Sequence, residues 1–205
     1  MCNYYQNDIR KAGREREFYG FDEFSEIPLD IYPDSLTGVI ALNADGEPHW
    51  RAMRWGFPPP PKAVQRPVTN VRNLASPYWK GWLKPEFRCL VPFTRFSEYE
   101  DSSPKGKKKI RWFNVKDAPM AAFAGIWRPW TGVRGRKSRP VEGEHLLYAF
   151  LTCAPNAVVA PIHAKAMPVI LATPEAQDAW LTAPAAAVEA IAQPLPEEEL
   201  ALEAA

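Results

Sequence analysis

The sequence contains few of the residues that build disulfide frameworks or metal sites. Only three of its 205 residues are Cys and three are His. Cys2, Cys89 and Cys153 are an odd number and do not have the spacing of metal ligands. We therefore predict reduced thiols, as in a cytoplasmic protein, and we expect neither a metal nor another cofactor.

Long hydrophobic runs are also absent from the sequence. No apolar stretch approaches the ~18 residues of a membrane-spanning helix, and residues 1–17 are too polar for a signal peptide. The sequence contains no glycine-rich phosphate loop and no Ser, His and Asp in the order of a hydrolase triad. We accordingly expect a cytoplasmic protein that does not bind a membrane.

Charge is distributed unevenly along the chain. Residues 1–50 contain 4 basic and 10 acidic residues, residues 51–140 contain 20 and 5, and residues 141–205 contain 1 and 9. A basic segment of this kind is typical of a nucleic-acid-binding surface, because neutralised phosphates release counterions. Pairing of the basic segment with the two acidic ends is an alternative that composition leaves open.

Short apolar runs separated by turn residues predict a β-rich α+β domain with a few short helices. The expected strands are residues 37–42, 48–57, 87–93, 96–100, 110–115, 120–127, 145–152 and 167–172. The first two form a hairpin in this prediction, and lysine-rich residues 102–110 form a second hairpin tip.

The remaining segments are predicted to be loops, helices or a tail. Residues 8–25 suggest a short surface helix, and the proline run at 58–61 suggests an exposed loop rather than a linker between domains. Residues 128–140 suggest a mobile basic loop. Thr173 is expected to cap a helix. The domain is predicted to span residues 1–184, followed by an Ala- and Glu-rich tail at 185–205.

Cys2 directly follows the initiator methionine and is small enough to permit removal of Met1. The processed chain would carry an α-amine and a thiol on adjacent carbons, and these two groups can close a five-membered ring on an aldehyde. An internal Cys cannot do this, because its nitrogen belongs to an amide. Reference pKa values of about 8 and 8.5 bring both groups within reach of activation at neutral pH. A chance Cys in a frayed terminus is the alternative.

Four further polar residues lie beside predicted strands where a plain core would have apolar ones. Asn70 and Arg72 alternate in an extended segment and are expected on one face. Glu98 follows a buried strand, which suits a raised carboxyl pKa and general acid–base catalysis. His163 lies between a loop and a buried strand, where it can serve as a proton donor.

Each of these residues also has a structural alternative. Glu98 can pair with Arg88 or Arg95, Asn70 can cap a turn, and His163 can be a hydrogen-bonded loop residue. The sequence pattern by itself does not decide between the catalytic and the structural roles.

An ordered set of short motifs connects the candidate residues. The motifs are Met1-Cys2, RWG at 54–56, NVR at 70–72, RCLVP at 88–92, FSE at 96–98, TCAPN at 152–156 and HAKAMPVIL at 163–171. In this order the chain resembles the SRAP family, the SOS-response-associated peptidases also described as abasic-site processing proteins. The resemblance covers about residues 1–182 and implies a single domain with a twisted, barrel-like antiparallel sheet.

The resemblance also implies a function. After loss of Met1, with self-processing as one route, Cys2 would crosslink through a thiazolidine to the aldehyde of an abasic site in single-stranded DNA. Lyase activity through the imine would accompany this reaction. Asn70 would orient the terminus and the sugar, Glu98 would transfer protons near the amine, and His163 would assist ring opening.

The same resemblance assigns DNA contacts to Arg54, Trp55 and Arg72, with Arg72 on a flanking phosphate. The expected partner is single-stranded DNA with abasic sites, and the expected state is a monomer. The chain departs from the family pattern where Asn3-Tyr4 follows Cys2 in place of Gly-Arg, and where the proline run replaces a second tryptophan. Two alternatives are a non-catalytic single-stranded nucleic-acid binder and a cysteine peptidase that acts on other proteins.

Overall fold

The computed structural model describes residues 2–8, 28–60, 66–104, 106–118, 121–136 and 138–204. The predicted helix of residues 8–25 therefore lies, except for its first residue, outside the described residues. So does the last proline of the run at 58–61.

The described residues form mostly strands, with a few short helices. The strands are β1 (Tyr5–Gln6), β2 (Asp30–Ile31), β3 (Leu36–Leu42), β4 (Pro48–Trp55), β5 (Asn70–Val71), β6 (Arg88–Phe93), β7 (Arg95–Tyr99), β8 (Ile110–Val115), β9 (Ala121–Arg136), β10 (Arg139–Cys153), β11 (Met167–Pro168), β12 (Ile170–Leu171) and β13 (Leu200–Leu202). The α-helices are α1 (Pro77–Lys80), α2 (Pro174–Thr182) and α3 (Val188–Ile191), and four 3-10 turns lie at Gly81–Leu83, Pro85–Phe87, Ala185–Ala187 and Glu197–Glu199. The predicted β-rich class is confirmed.

Five strands close into a barrel in the order β10, β4, β3, β6, β9 and back to β10. All neighbouring pairs in this ring are antiparallel except β10 and β4, which run parallel. Strand β5 also runs parallel to β10 and places Asn70 opposite Phe150. The barrel-like sheet that the family resemblance implied is thus present, and β5 holds Asn70 at its margin.

Residues 121–126 of β9 and 147–152 of β10 are buried on both faces of the sheet. This explains why their sequences contain continuous apolar runs rather than alternating ones. Successive residues of β10 enter two different hydrophobic clusters. Leu147 and Leu151 join the cluster that contains Trp180, whereas Tyr148 and Phe150 join the cluster that contains Cys2.

A second sheet holds the amino-terminal segment, with the strand order β13, β8, β7, β1, β2. Strand β1 pairs antiparallel with β7 through Tyr5 opposite Phe96 and Gln6 opposite Arg95. This register brings the residues that precede Tyr5 alongside the part of β7 that carries Glu98. The second sheet therefore joins the start of the chain to the predicted acid–base residue.

The prediction of a mobile basic loop at residues 128–140 is wrong. Strands β9 and β10 continue through this segment as a two-stranded ribbon with Arg136 paired to Arg139. A stack between Trp130 and His145, with ring centroids 6.0 Å apart, joins the two strands. The ribbon is anchored to a distant turn, where the Asp34 carboxylate accepts hydrogen bonds from Arg134 Nε at 2.9 Å and from the Gly135 amide at 2.8 Å.

The end of the chain also differs from its prediction as a tail. Strand β13 pairs with β8 through Leu200 opposite Val115, and Leu195 and Leu200 are buried in the Cys2 cluster.

Helix α2 behaves as predicted, since Thr173 Oγ1 accepts a hydrogen bond from the Ala176 amide at 3.2 Å. Across the described residues, no helix has the length and hydrophobicity to cross a membrane.

Candidate functional site

Cys2 lies fully buried in the hydrophobic cluster between the two sheets. Its Sγ donates to the carbonyl oxygen of Tyr4 at 3.6 Å, and its own carbonyl oxygen accepts a hydrogen bond from Asn70 Nδ2 at 2.9 Å. Burial raises the pKa of the Cys2 thiol well above its usual range, and the charge of Glu98 raises it further. The thiol is therefore protonated at neutral pH in this conformation, and a partner must take its proton before it reacts.

Asn70 is held by the pairing of β5 with β10 and by a hydrogen bond to the preceding residue, Thr69. Its Nδ2 donates both to the Cys2 carbonyl oxygen and to Thr69 Oγ1, the latter at 2.8 Å. Its Oδ1 is buried and has no hydrogen-bond partner among the residues described. The side chain therefore holds Cys2 with its donor group and keeps an acceptor available for a ligand hydroxyl or amine.

Strand β7 holds Tyr4, which lies two residues after Cys2, through hydrogen bonds from Ser97. The Tyr4 carbonyl oxygen accepts from the Ser97 amide at 3.0 Å and from Ser97 Oγ at 2.9 Å. On the opposite side, Thr69 Oγ1 donates to Asn3 Oδ1 at 3.3 Å. Residues 2–4 are consequently held between β7 and β5, so Cys2 does not lie in a frayed terminus.

Glu98 is the buried acid of the site, with only 2% of its surface exposed. Burial raises its pKa to about 7, because a carboxylate loses hydration in this environment, while the positive charge of the amino terminus opposes the rise. At neutral pH the carboxyl group is thus close to half-protonated. A group in this condition can both accept and donate a proton.

Arg88 and Arg95, the two arginines that could have paired with Glu98 in a structural role, have other partners. Arg88 is fully buried and donates to backbone carbonyl oxygens, including that of Leu83 at 2.7 and 2.9 Å. Arg95 donates to Gln6 Oε1 and to Glu203 Oε2, each at 2.7 Å. These contacts occupy both arginines away from the predicted acid–base residue.

His163 lies between two carboxylates. Its Nε2 is 3.9 Å from Glu98 Oε2, and its Nδ1 is 3.3 Å from Asp101 Oδ1. Burial lowers the pKa of His163, as does the charge of the amino terminus, while Asp101 raises it. The imidazole can therefore exchange protons with the buried Glu98 on one side while Asp101 orients it from the other.

Asp101 is a member of this arrangement that the sequence analysis missed. Its amide donates to the carbonyl oxygen of Ile162 at 2.8 Å, and its carboxylate accepts from the Ala164 amide at 3.3 Å. Burial acts to raise its pKa, but the charge and hydrogen bond of His163 and the bond from Ala164 outweigh that effect and lower it. An acidic residue three positions after Glu98 was the available sequence signal.

Comparison with known proteins places the chain in a family. The sequence profile of the SRAP family, SOS response associated peptidase, matches residues 1–204. The chain belongs to the SRAP family. No curated protein sequence matches it. Membership associates the chain with the SOS response, with DNA damage and with peptidase chemistry.

Solved structures share the fold of this SRAP chain. A protein from Bordetella bronchiseptica is 22% identical, with a TM-score of 0.76 over 98% of each chain. One from Bacteroides thetaiotaomicron is 19% identical, with a TM-score of 0.71 over 98% of this chain and 90% of that one. A phage-related protein from Bordetella bronchiseptica is 19% identical, with a TM-score of 0.68 and coverages of 98% and 93%. At these identities the similarity establishes the architecture alone.

The three predicted DNA contacts of the SRAP chain lie in different environments. Arg72 is exposed and lies two residues after Asn70. Arg54 is half-buried, and its Nη1 donates to the Asp34 carbonyl oxygen. Trp55 is fully buried and donates from Nε1 to the Thr69 carbonyl oxygen at 3.1 Å. A direct contact of Trp55 with DNA is therefore corrected to a supporting role beneath the Thr69–Asn70 segment.

Proposed function

We propose that this protein forms a covalent adduct with abasic sites in single-stranded DNA through Cys2, after Met1 has been removed. The observation that carries the proposal is the convergence of Cys2, Asn70, Glu98 and His163 from four separate segments. Cys2 is buried and its carbonyl oxygen is held by Asn70, so the reactive groups are positioned before a substrate enters. The SRAP family membership and the basic middle third of the chain support the same assignment.

The proposed reaction condenses one aldehyde with two groups of the same residue. The neutral amine of Cys2 attacks C1′ of the ring-opened sugar, and the resulting carbinolamine loses water to give an imine. The Cys2 sulfur then adds to the imine carbon, and the imine nitrogen takes up the thiol proton. The product is a thiazolidine, and one water molecule is released overall.

Glu98 and His163 divide the proton transfers in this mechanism. Glu98 takes the proton of the Cys2 ammonium and returns a proton to the departing hydroxyl, which its pKa of about 7 permits. His163 protonates the sugar ring oxygen during ring opening and is recharged from solvent beside Asp101. Asn70 holds the Cys2 carbonyl group and offers Oδ1 to a sugar hydroxyl.

Two further activities belong to the proposal. Removal of Met1 is hydrolysis of a single peptide bond, and the chain would catalyse it on itself with Glu98 as the base for the attacking water. The imine intermediate acidifies the adjacent sugar carbon, so that loss of a proton there expels the 3′ phosphate. The second reaction would give the protein lyase activity whenever ring closure by the thiol is slow.

Incubation with a single-stranded oligonucleotide that contains one abasic site tests the assignment. Cys2→Ala should abolish the denaturation-resistant adduct, because it removes the thiol that closes the ring, while binding to the intact strand changes little. Cys153→Ser is the matched control, since Cys153 is half-buried and lies outside the site. An undiminished adduct from Cys2→Ala would contradict the proposal.

The same incubation and a separate peptidase assay distinguish the two alternatives. A non-catalytic binder would show salt-sensitive affinity that does not depend on the abasic site, and neither protein would form an adduct. A cysteine peptidase that acts on other proteins would hydrolyse a fluorogenic peptide in a Cys2-dependent manner. Either result in the absence of the DNA adduct would replace the proposed function.

A further inference from the structure

Three aromatic rings form a ladder that begins two residues after Cys2. The rings of Tyr4 and Tyr32 are stacked, with centroids 4.4 Å apart and planes inclined by 17°. Trp112 meets Tyr4 edge-on at 4.6 Å, and the guanidinium of Arg95 lies 4.3 Å from the centre of the Trp112 ring. Arg95 therefore closes one end of the ladder. At the other end Tyr32 is 48% exposed, so the ladder terminates in a ring that faces solvent.

The ladder is held in place before any ligand arrives. Its central ring belongs to Tyr4, whose carbonyl oxygen accepts two hydrogen bonds from Ser97. The Tyr4 hydroxyl donates to Asp30 Oδ1 at 2.7 Å. Tyr32 stacks on this fixed ring, so it loses less conformational freedom when another flat group stacks on it in turn, and such preorganisation favours binding. An isolated exposed tyrosine would not have this property.

A cleft of about 360 Å³ opens beside the exposed end of the ladder. It is lined by Tyr32, Pro33, Asp34, Ser35, Arg54 and Gly135. The Asp34 carboxylate is already bound by Arg134 and by the Gly135 amide. Arg54, by contrast, is a half-buried cation that lines the cleft and uses only Nη1 on the Asp34 carbonyl oxygen. The cleft thus combines a flat aromatic wall with a cation that can bind a further anion.

We propose that Tyr32, beside the Arg54 that the family resemblance already implied as a DNA contact, forms a nucleotide subsite for single-stranded DNA next to the site of reaction. A base continues the ladder by stacking on Tyr32, and a neighbouring phosphate binds Arg54. Stacking accepts every base, because each one has an aromatic face. The position of this subsite along the strand rests on the proposed function, since Tyr4 connects the ladder to Cys2. The binding of an undamaged strand does not depend on that function.

Substitution of Tyr32 tests the stacking contact. The dissociation constant of a fluorescent 15-nucleotide thymidine strand should rise about 5- to 150-fold in Tyr32→Ala, as expected when one base–aromatic stack is lost. Tyr32→Phe should bind like the wild type, since it keeps the ring. Tyr99→Ala is the control, because Tyr99 is 43% exposed but lies outside the ladder. Equal affinities of Tyr32→Ala and the wild type would overturn the stacking contact.

Substitution of Arg54 tests the phosphate contact. The slope of log affinity against log salt concentration should become shallower by about 0.7 in Arg54→Ala, the value for one phosphate of a single strand. Arg54→Lys should retain the wild-type slope, because it preserves the charge. An unchanged slope in Arg54→Ala would remove the phosphate from the subsite.

A fluorescent base places the subsite relative to the lesion. Oligonucleotides that carry 2-aminopurine directly 5′ or directly 3′ of the abasic site should show quenching at one of the two positions. The wild type and Tyr32→Phe should quench it, and Tyr32→Ala should not. If the wild type forms no adduct yet binds the undamaged strand more tightly than Tyr32→Ala, the proposed reaction fails and the subsite stands. If the wild type forms the adduct but Tyr32→Ala changes neither affinity nor quenching, the proposed reaction stands and the subsite fails.

Discussion

Two carboxylates approach the same imidazole from opposite sides, and their surroundings move their pKa values in opposite directions. Glu98, on the inner side of His163, is almost completely buried, and its pKa rises to about 7. Asp101, on the outer side, has a side chain that is 38% exposed, lies 3.6 Å from Lys108 and has a lowered pKa. Burial rather than residue type therefore decides which group carries protons at neutral pH.

The difference assigns separate tasks to the inner and outer regions. The inner carboxyl group changes its protonation near neutral pH close to the Cys2 thiol, which it influences through its charge. The outer carboxylate stays ionised, so it can hold His163 in one orientation without competing for the proton. Each region can be changed separately by substitution. The substitutions should differ in their effects on the rate of adduct formation, on the free energy of unfolding and on the pH dependence of both.

The largest effect should come from loss of the inner carboxyl group. Glu98→Gln should slow adduct formation by about 100- to 10,000-fold, the usual contribution of a general acid–base residue. The wild-type rate should rise as pH increases through about 7, because the carboxylate must be ionised to accept the proton of the amine. Single-turnover rates between pH 5 and 9 measure this profile.

Glu100→Gln is the matched control for this prediction. Glu100 lies two residues further along the same segment, 3.8 Å from Arg111, and its side chain is directed to that partner. Its substitution should leave both the rate and the inflection near pH 7 unchanged. A Glu98→Gln protein that keeps the wild-type rate and profile would remove Glu98 from the chemistry.

The buried carboxyl group of Glu98 should also lower the free energy of unfolding as the pH rises. Because the folded-state pKa of Glu98 exceeds the unfolded value of 4.5, the folded protein binds the proton more tightly, and stability falls as pH rises from about 4.5 to above 7. Glu98→Gln should therefore be more stable than the wild type at pH 8 by up to about 3 kcal/mol. Urea denaturation at pH 8 measures the gain.

The gain should disappear at pH 4, where both states of the wild type are protonated at this position. Equal stabilities at pH 8 would show that the buried carboxyl group has found full compensation in its surroundings. Burial would then no longer explain why the pKa of Glu98 differs from that of Asp101.

A smaller effect is expected from the outer carboxylate. Asp101→Asn removes the charge that raises the pKa of His163, so the imidazole pKa should fall, and the rate of adduct formation should drop by no more than about tenfold, the equivalent of one pKa unit. NMR titration of His163 gives the pKa directly. A rise in that pKa, or a rate loss as large as that of Glu98→Gln, would erase the distinction between the two carboxylates.

The smallest effect should arise at the surface pair that neutralises Asp101. Lys108 Nζ lies 3.6 Å from Asp101 Oδ1, and both side chains are more than a third exposed. Exposed pairs of this kind contribute about 1 kcal/mol or less. Lys108→Ala should therefore change the unfolding free energy by less than about 1 kcal/mol and leave the adduct rate unchanged. A large loss of activity would mean that Lys108 contacts the substrate.

The sequence predicted those parts of the molecule that depend on local pattern. The hairpin of β3 and β4, the buried run of β6 and the helix capped by Thr173 follow from alternation, apolar content and capping chemistry. The ribbon at residues 128–140 did not follow, because its glycines and arginines resemble a loop. Its strand conformation is fixed by Asp34, which lies 100 residues away in sequence.

The candidate site shows the same division. Cys2, Glu98 and His163 each stood out by residue type and neighbouring strands, and the ordered motifs indicated that they belong together. Asp101 did not stand out, because its role arises only when the loop before His163 returns to the end of β7. Burial of Trp55 was likewise set by tertiary packing, which places its ring beneath the Thr69–Asn70 segment.

The most direct test of the account is the intact mass of the protein before and after incubation with a single-stranded oligonucleotide that carries one abasic site. The covalent mechanism predicts loss of Met1 and then a gain in mass equal to the oligonucleotide minus one water molecule, absent with undamaged DNA and with Cys2→Ala. A protein that retains Met1 and gains no mass would contradict the covalent mechanism.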